Sequence, residues 1–312
     1  GWCFKIKYLS EFHNFCIRRI KGTYIPFLKG GLLFILLHNI FYHLNIYNDQ
    51  FGYAGQVSHL YSLNEHIKHA IIGCGLFLYP EELLGGYWFL VQLFWGSLIG
   101  FLSIKFIKNP YISASILLVI SFIIKLYINK TIPFTGIGSI TFLSASFFVY
   151  GFAFRNNHFK FSPLIIISCF LMVLTGSFFW NTTMQTYTHF NVLPYAITGV
   201  FGSIMIIEIA KLFDNRSNDN NRVKVFLIFA GENSLTILTW HFLSFKLVSL
   251  LIINIEGYPT EMLAMFPVIE NAPLPYTILY LIIGVALPLF GLLFLKRTYS
   301  WIPILRTGQQ KR

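Results

Sequence analysis

The chain has 312 residues, of which 55% are hydrophobic and 11% are charged, and it carries a formal net charge of +11. Soluble domains hold about 25% charged residues, so a soluble domain of any size is excluded. The four cysteines (Cys3, Cys16, Cys74 and Cys169) lack the spacing of a metal site or a disulfide framework, and no metal is expected.

Apolar runs long enough to cross a bilayer, roughly 20 residues each, recur along the sequence. They predict an all-α, polytopic transmembrane bundle of about eight spans forming one membrane-embedded domain over 1–312. Residues 1–23 read as a basic loop, with Lys5, Lys7, Arg18, Arg19 and Lys21 against one acid, Glu11. The first span is expected over about 24–45, with Pro26 in its first turn, where a missing N–H costs nothing. His38, Asn39 and His43 fall in its far half. The long connection 46–86 holds Asp49, Glu65, Glu81 and Glu82. Its apolar piece from Ala70 to Tyr79 is too short to span and predicts a re-entrant or interfacial segment.

Further spans are expected over about 87–104, 111–128, 139–154, 163–180 and 194–213. The fourth, rich in Ser, Ala and Phe, suits close helix packing. Asp214 to Arg222 reads as a flexible linker. The seventh span opens on Gly231-Glu232-Asn233-Ser234 and carries His241 and Lys246 inward. Lys costs roughly 2.5–3.5 kcal/mol at a bilayer centre, so these groups are expected to face protein or a wet cavity. Asn233 and Ser234 suit a helix cap, and Lys246 suits a carboxylate partner. The eighth span covers about 276–295, and 296–312 form a basic tail.

Charge orients this topology. Alternate connections (1–23, 105–110, 155–162, 211–224 and 296–312) collect 18 of the 23 Lys and Arg, while the opposite side holds seven of the twelve acids. The positive-inside rule then places the N-terminal basic loop and the C-terminus in the cytoplasm of a bacterial cell, with the spans in its inner membrane. Sequons at Asn129, Asn181 and Asn215 carry no weight in a bacterial chain.

Four segments, in order, resemble the acyltransferase-3 family of integral membrane O-acyltransferases. Phe15 to Pro26 is similar to its basic loop ending in an aromatic residue and a proline. Gly86-Tyr87-Trp88-Phe89-Leu90-Val91-Gln92-Leu93-Phe94 resembles its W-F-L helix start. Val149 to Phe154 resembles the tyrosine-glycine end of a middle span, and Ala230 to Phe242 its late G-x-N-S-L…H-F segment. The nearest branch resembles the fucose 4-O-acetylases.

The resemblance implies transfer of an acyl group, acetyl by expectation, from cytoplasmic acyl-CoA to a hydroxyl of a cell-surface glycan or lipid-linked sugar. It also implies a ten-span core whose catalytic histidine stands in a base-x10-His pattern on the first span. That pattern has no match here. The abrupt apolar start at Gly1 reads as a chain lacking the first two spans, so the principal catalytic histidine is not assigned to any residue.

Arg18, Arg19, Lys21 and Ser234 are the candidates for the CoA phosphates. Arg offers bidentate contacts, Lys a point charge, and a helix start free N–H groups. The family's R-x-x-R spacing is kept only as Arg18 to Lys21. His241 is the candidate for a supporting catalytic role: a neutral imidazole can accept a hydroxyl proton or hold another group in place, and without the first span the positioning role is the expected one. His38 and Trp88 are the candidates for the acceptor sugar. Each has a plainer reading: a positive-inside anchor for the bases, a helix–helix hydrogen bond for His241, and an interfacial anchor for Trp88. A transporter or flippase for a small anion or lipid-linked sugar, or an inactive scaffold, is the competing class.

Overall fold

The structure is a computed structural model that describes residues 11–52, 57–78, 81–133, 135–156, 163–180 and 183–300. Lys5, Lys7, Lys160, the Asn181 sequon and the tail from residue 301 lie outside the described residues. The described residues form helices and connecting turns, with no strand among them.

Eleven α-helices occur among the described residues: α1 (Phe12–Arg19), α2 (Ile25–His43), α3 (Leu63–Lys68), α4 (Trp88–Phe106), α5 (Pro110–Ile123), α6 (Ser139–Asn156), α7 (Pro163–Phe179), α8 (Val192–Arg216), α9 (Arg222–Glu232), α10 (Ser234–Glu256) and α11 (Leu274–Ser300). Six helical stretches are long and apolar enough to cross a bilayer: Phe12–His43, Glu82–Phe106, Pro110–Ile128, His189–Arg216, Ser234–Glu256 and Leu274–Thr298. Two shorter apolar helices, Ser139–Arg155 and Leu164–Phe179, stand where the fourth and fifth spans were expected. The helices turn large apolar side chains outward, as at Leu36, Leu164 and Phe290. Such faces suit lipid, where burial against water is not the driving force. The protein is a polytopic helical bundle.

The expected loop over 1–23 is helical from Phe12 onward. A π-helical turn, Ile20–Tyr24, joins α1 to α2. The turn has a local cause. Pro26 lacks the N–H that Gly22 would otherwise receive, and an i→i+5 turn just before it absorbs the defect. Within the turn, Ile25 N–H donates to the Ile20 carbonyl, and the Thr23 hydroxyl donates to the Arg19 carbonyl at 2.6 Å. Arg18 and Arg19 therefore occupy the last turn of a helix and Lys21 the π-turn.

Other boundaries shift by similar local effects. The linker from Asp214 shrinks, because α8 runs through Arg216 and α9 starts at Arg222. The apolar piece from Ala70 is a π-helical continuation of α3, His69–Gly75, and it ends before Tyr79; Phe77 then takes φ +60°. A 3-10 turn, Glu82–Tyr87, leads into α4.

The chain divides into two compact units. The first comprises residues 1–27, 76–78 and 88–221. In it α4 and α5 pack on α6, burying Phe15, Phe101, Leu117, Phe148 and Phe152. The small residues foreseen in the fourth span do bring backbones together. Gly96 and Gly100 of α4 lie against Ser144, Ala145 and Phe148, and the Ser146 hydroxyl donates to the Ala114 carbonyl at 2.9 Å. Interhelical hydrogen bonds of this kind contribute about 0.6 kcal/mol each in membrane helices.

The second unit comprises residues 28–75, 79–87 and 222–312. There α10 packs on α11, on the 3-10 turn Glu82–Tyr87 and on a second 3-10 turn, Thr260–Ala264. Val248, Ile252, Leu263, Ile269 and Tyr280 form its core, and the Ser249 hydroxyl bonds the Tyr280 hydroxyl at 2.8 Å.

Candidate functional site

In the second unit, the C-terminal half of α2 carries His38 and Asn39 one residue apart, on adjoining faces of the helix. Two glycines about two turns earlier let other elements come close. A Cβ on Gly30 would collide with the Tyr87 ring and hydroxyl, and one on Gly31 with the Cys74 sulfur. Asn39 then acts on the backbone of the following loop. Its Nδ2 donates to the Tyr61 carbonyl at 2.9 Å and its Oδ1 accepts from Tyr61 N–H at 2.8 Å. This reciprocal pair fixes the Tyr61 ring, which stacks on His38 at 3.4 Å and on His69 at 4.6 Å.

His38 is 1% exposed and both of its ring nitrogens are engaged. Nε2 lies 3.0 Å from the His59 carbonyl and Nδ1 lies 3.1 Å from Glu81 Oε2. A carbonyl only accepts, so Nε2 carries a proton. The Nδ1–Oε2 bond then holds a second proton, either as imidazolium with carboxylate or as imidazole with carboxylic acid. The pair is a closed proton store, with no lone pair left on His38 to take a proton from a hydroxyl.

The next residue, Glu82, accepts from the Ser58 hydroxyl at 2.9 Å, and its other oxygen is buried with no hydrogen-bond partner among the described residues. Lys246, 2% exposed on α10, donates to the carbonyls of Leu263 and Met265 at 2.8 Å each. Its charge also interacts with that of Glu82. The close partners of Lys246 are these two backbone carbonyls and not the expected carboxylate. The ammonium is thus paid for by protein, as an intramembrane lysine requires.

The loop groups near this pair are tuned by burial. The Tyr47 and Tyr61 phenols are held above their ordinary range, first by burial and then by the Glu81 charge. Burial likewise pushes the Cys74 thiol up to about 12 and lowers His69. At the surface Glu65 runs the other way, lowered to about 2 by hydrogen bonds from His59 and Ser62. Glu65 also completes a capping box with Ser62 at the start of α3.

His241 is half-buried on α10. Its Nδ1 lies 3.1 Å and 3.0 Å from the Ile237 and Leu238 carbonyls of its own helix. Both partners are acceptors, so the proton sits on Nδ1 and the neutral ring keeps its lone pair on Nε2. Among the described residues that nitrogen has no hydrogen-bond partner. The ring lies against Gly86, Phe242 and Phe245. Directly after Leu238, which Gly86 approaches, the Thr239 hydroxyl bonds the Tyr87 hydroxyl at 2.7 Å. His38 and His241 share no hydrogen bond.

The break before α10 is not the expected side-chain cap. Asn233 takes φ −107° and ψ 20°, and its Nδ2 donates back to the Phe229 carbonyl at 2.8 Å, closing α9 instead of capping α10. Ser234 is the exposed first residue of α10. In the first unit Arg18 and Lys21 are exposed, and Arg19 lies 4.9 Å above the Phe15 ring and 5.9 Å above Phe148. Trp88 opens α4 half-buried, edge-on to Phe89. Among the described residues no cluster of three or more His, Cys, Asp or Glu is placed to hold a metal ion.

A family model described as an acyltransferase domain, that of the acyltransferase-3 family, matches residues 2–293. The chain belongs to the acyltransferase-3 family. Comparison with curated proteins and with solved structures gives no match. Membership together with the apolar spanning helices supports a membrane acyltransferase, whose substrates are an acyl donor and an acceptor. Within this acyltransferase the residues that sequence reasoning passed over are Glu81, Glu82 and Tyr61. Sequence reasoning places Glu81 and Glu82 only among the acids of the long connection 46–86. The available signal was their position directly before Leu83-Leu84-Gly85-Gly86-Tyr87, where an apolar helix start leaves little water for two carboxylates.

Proposed function

We propose that this acyltransferase O-acetylates a sugar. It moves an acetyl group from cytoplasmic acetyl-CoA to a hydroxyl of a cell-surface glycan or lipid-linked sugar, in the bacterial inner membrane, with the N-terminal basic segment and the C-terminus in the cytoplasm. The acceptor chemistry of the fucose 4-O-acetylase branch fits best. The observation that carries the reading is His241: an intramembrane imidazole whose proton is committed to Nδ1 and whose Nε2 has no hydrogen-bond partner among the described residues.

The reaction needs a base for the acceptor hydroxyl. As the hydroxyl oxygen attacks the thioester carbonyl, a C–O bond forms and the C–S bond breaks. The hydroxyl proton passes to Nε2 of His241 and from there to the departing thiolate, so protons balance. Positioned general bases contribute about 10²–10⁴ in rate. His241 supports this step from α10. Arg18, Arg19 and Lys21 take the CoA phosphates. His38 serves the acceptor side by holding Glu81 and the Tyr61 ring in place, and Trp88 offers an aromatic face to the sugar.

Purified full chain, given acetyl-CoA and a sugar acceptor, is expected to release free CoA only when both are present. His241→Ala is expected to lose that release while still binding acetyl-CoA. Passage of a sugar or anion across vesicles without any CoA release overturns the reading in favour of a transporter.

A further inference from the structure

We infer that the Tyr87 hydroxyl is a positioning group for His241. It ties the 3-10 turn Glu82–Tyr87 to α10 through Thr239, and the turn then braces the imidazole from outside its own helix. The inference rests on the function proposed above and adds a residue to its machinery.

The imidazole is loosely anchored by α10 itself. One Nδ1–H is shared between the Ile237 and Leu238 carbonyls, at 3.1 Å and 3.0 Å. The Phe242 and Phe245 rings beside it belong to the same helix. Gly86 is the contact that comes from another element. A Cβ there would stand 3.6 Å from His241 Cε1, the ring carbon between the two nitrogens, and 2.7 Å from Leu238 Cδ1. A backbone pressed this close opposes rotation of the ring away from its two carbonyls. A rotated ring loses the tautomer that leaves the lone pair on Nε2.

The residue that keeps Gly86 in place is its neighbour. Tyr87 is 1% exposed, and its phenol is wedged between α2 and α10. On the α2 side, a Cβ on Gly30 would lie 2.4 Å from the hydroxyl, so only a glycine leaves room for it. On the α10 side, the hydroxyl meets Thr239 Oγ1 at 2.7 Å. Thr239 gives its single hydroxyl proton to the Leu235 carbonyl at 2.8 Å, so Tyr87 is the donor. Thr239 stands two residues before His241. The bond therefore fixes the turn along α10 at the level of the imidazole.

A tyrosine that only packs could be exchanged for phenylalanine. Tyr87→Phe strands no buried donor, because Thr239 keeps its bond to Leu235. Its effect reads the tie and not a loss of fold.

The test joins kinetics to a signal from the ring itself. Tyr87→Phe in the purified full chain is expected to lower kcat for acceptor-dependent CoA release about tenfold with an unchanged KM for acetyl-CoA, since a misplacement of about 1 Å can cost about 10². Thr239→Val breaks the same bond from the other side and is expected to match that loss. The double variant is expected to lose no more than either single one, and Thr239→Ser to keep the parental rate. In detergent-solubilised protein carrying carbon-13 histidine, the His241 Cε1–H signal is assigned by its absence from His241→Ala. That signal is expected to move in Tyr87→Phe and Thr239→Val and to stay in Thr239→Ser. The His38 signal is expected to stay throughout, because Glu81 and the His59 carbonyl hold that ring.

The inference is overturned if Tyr87→Phe moves neither kcat nor the His241 signal, if the His241 and His38 signals move together, or if Thr239→Ser loses as much as Thr239→Val. The ring signal is read without turnover. A shifted His241 signal in a chain that releases no CoA sinks the proposed reaction and leaves the tie standing. His241-dependent CoA release that Tyr87→Phe leaves at the parental rate sinks the tie alone.

Discussion

Replacing Glu81 by leucine strands His38. The imidazole is 1% exposed, Glu81 is 7% exposed, and 3.1 Å separates Nδ1 from Oε2. Removing one partner of a buried pair leaves the other unpaired and costs about 3–5 kcal/mol. His38→Leu is expected to cost a similar amount, because it frees the carboxyl and also removes the donor to the His59 carbonyl. The double variant exchanges the pair for two apolar side chains. It still orphans that carbonyl, a loss of about 1–3 kcal/mol. The double variant is thus expected to lose less than the sum of the singles, with a coupling of about 2–3 kcal/mol. Glu81→Gln separates charge from hydrogen bonding. Its amide can donate to the Nδ1 lone pair of a neutral ring, so it is expected to cost about 1 kcal/mol. Unfolding of the detergent-solubilised protein, measured for the four members of the cycle and for the glutamine variant, reads all of these differences. Additive single variants, or a Glu81→Leu loss below about 1 kcal/mol, would refute a closed, buried pair.

Lys246→Met keeps the length of the side chain and removes two charge-assisted bonds, so the Leu263 and Met265 carbonyls lose their donor. About 2–4 kcal/mol of stability is expected to go, with faster amide exchange over Thr260–Ala264; unchanged exchange there would show that the lysine does not hold this turn. Acid should loosen α3 in two steps. His69 has a folded value below its ordinary 6.5, so its contribution is complete above pH 6.5 and declines as pH falls through the folded value. Glu65, at about 2 against 4.5, contributes fully above pH 4.5 and loses that contribution as pH falls toward 2. Hydrogen exchange of α3 between pH 7 and 2 checks both steps, and His69→Phe is expected to abolish the first and leave the second.

Composition and apolar periodicity made the helical bundle legible, because a bilayer forces long unbroken apolar helices and little else satisfies their backbones. Boundaries were less legible where one residue perturbs the ladder. Pro26 suggested a helix start, yet a π-turn let the helix run through it from Phe12. Asn233 suggested a cap, yet its amide reaches back to Phe229. The site was readable as single residues and not as a constellation. His241 and Lys246 stood out because a bilayer makes such groups costly. The partners of Lys246 are mostly backbone carbonyls, which no side-chain pattern reveals. Glu81 meets His38 across 43 residues, through a loop whose path is set by the Asn39–Tyr61 backbone pair, and local periodicity carries no trace of that contact.

The central claim is acyl transfer to a sugar hydroxyl, and the most direct measurement follows the acyl group itself. The full chain, reconstituted in vesicles with acetyl-labelled acetyl-CoA and a sugar acceptor, is expected to place label on the acceptor as an alkali-labile ester. His241→Ala is expected to lower that rate by about 10²–10⁴. An acceptor that stays unlabelled, or a His241→Ala variant that esterifies it at the parental rate, would contradict the account.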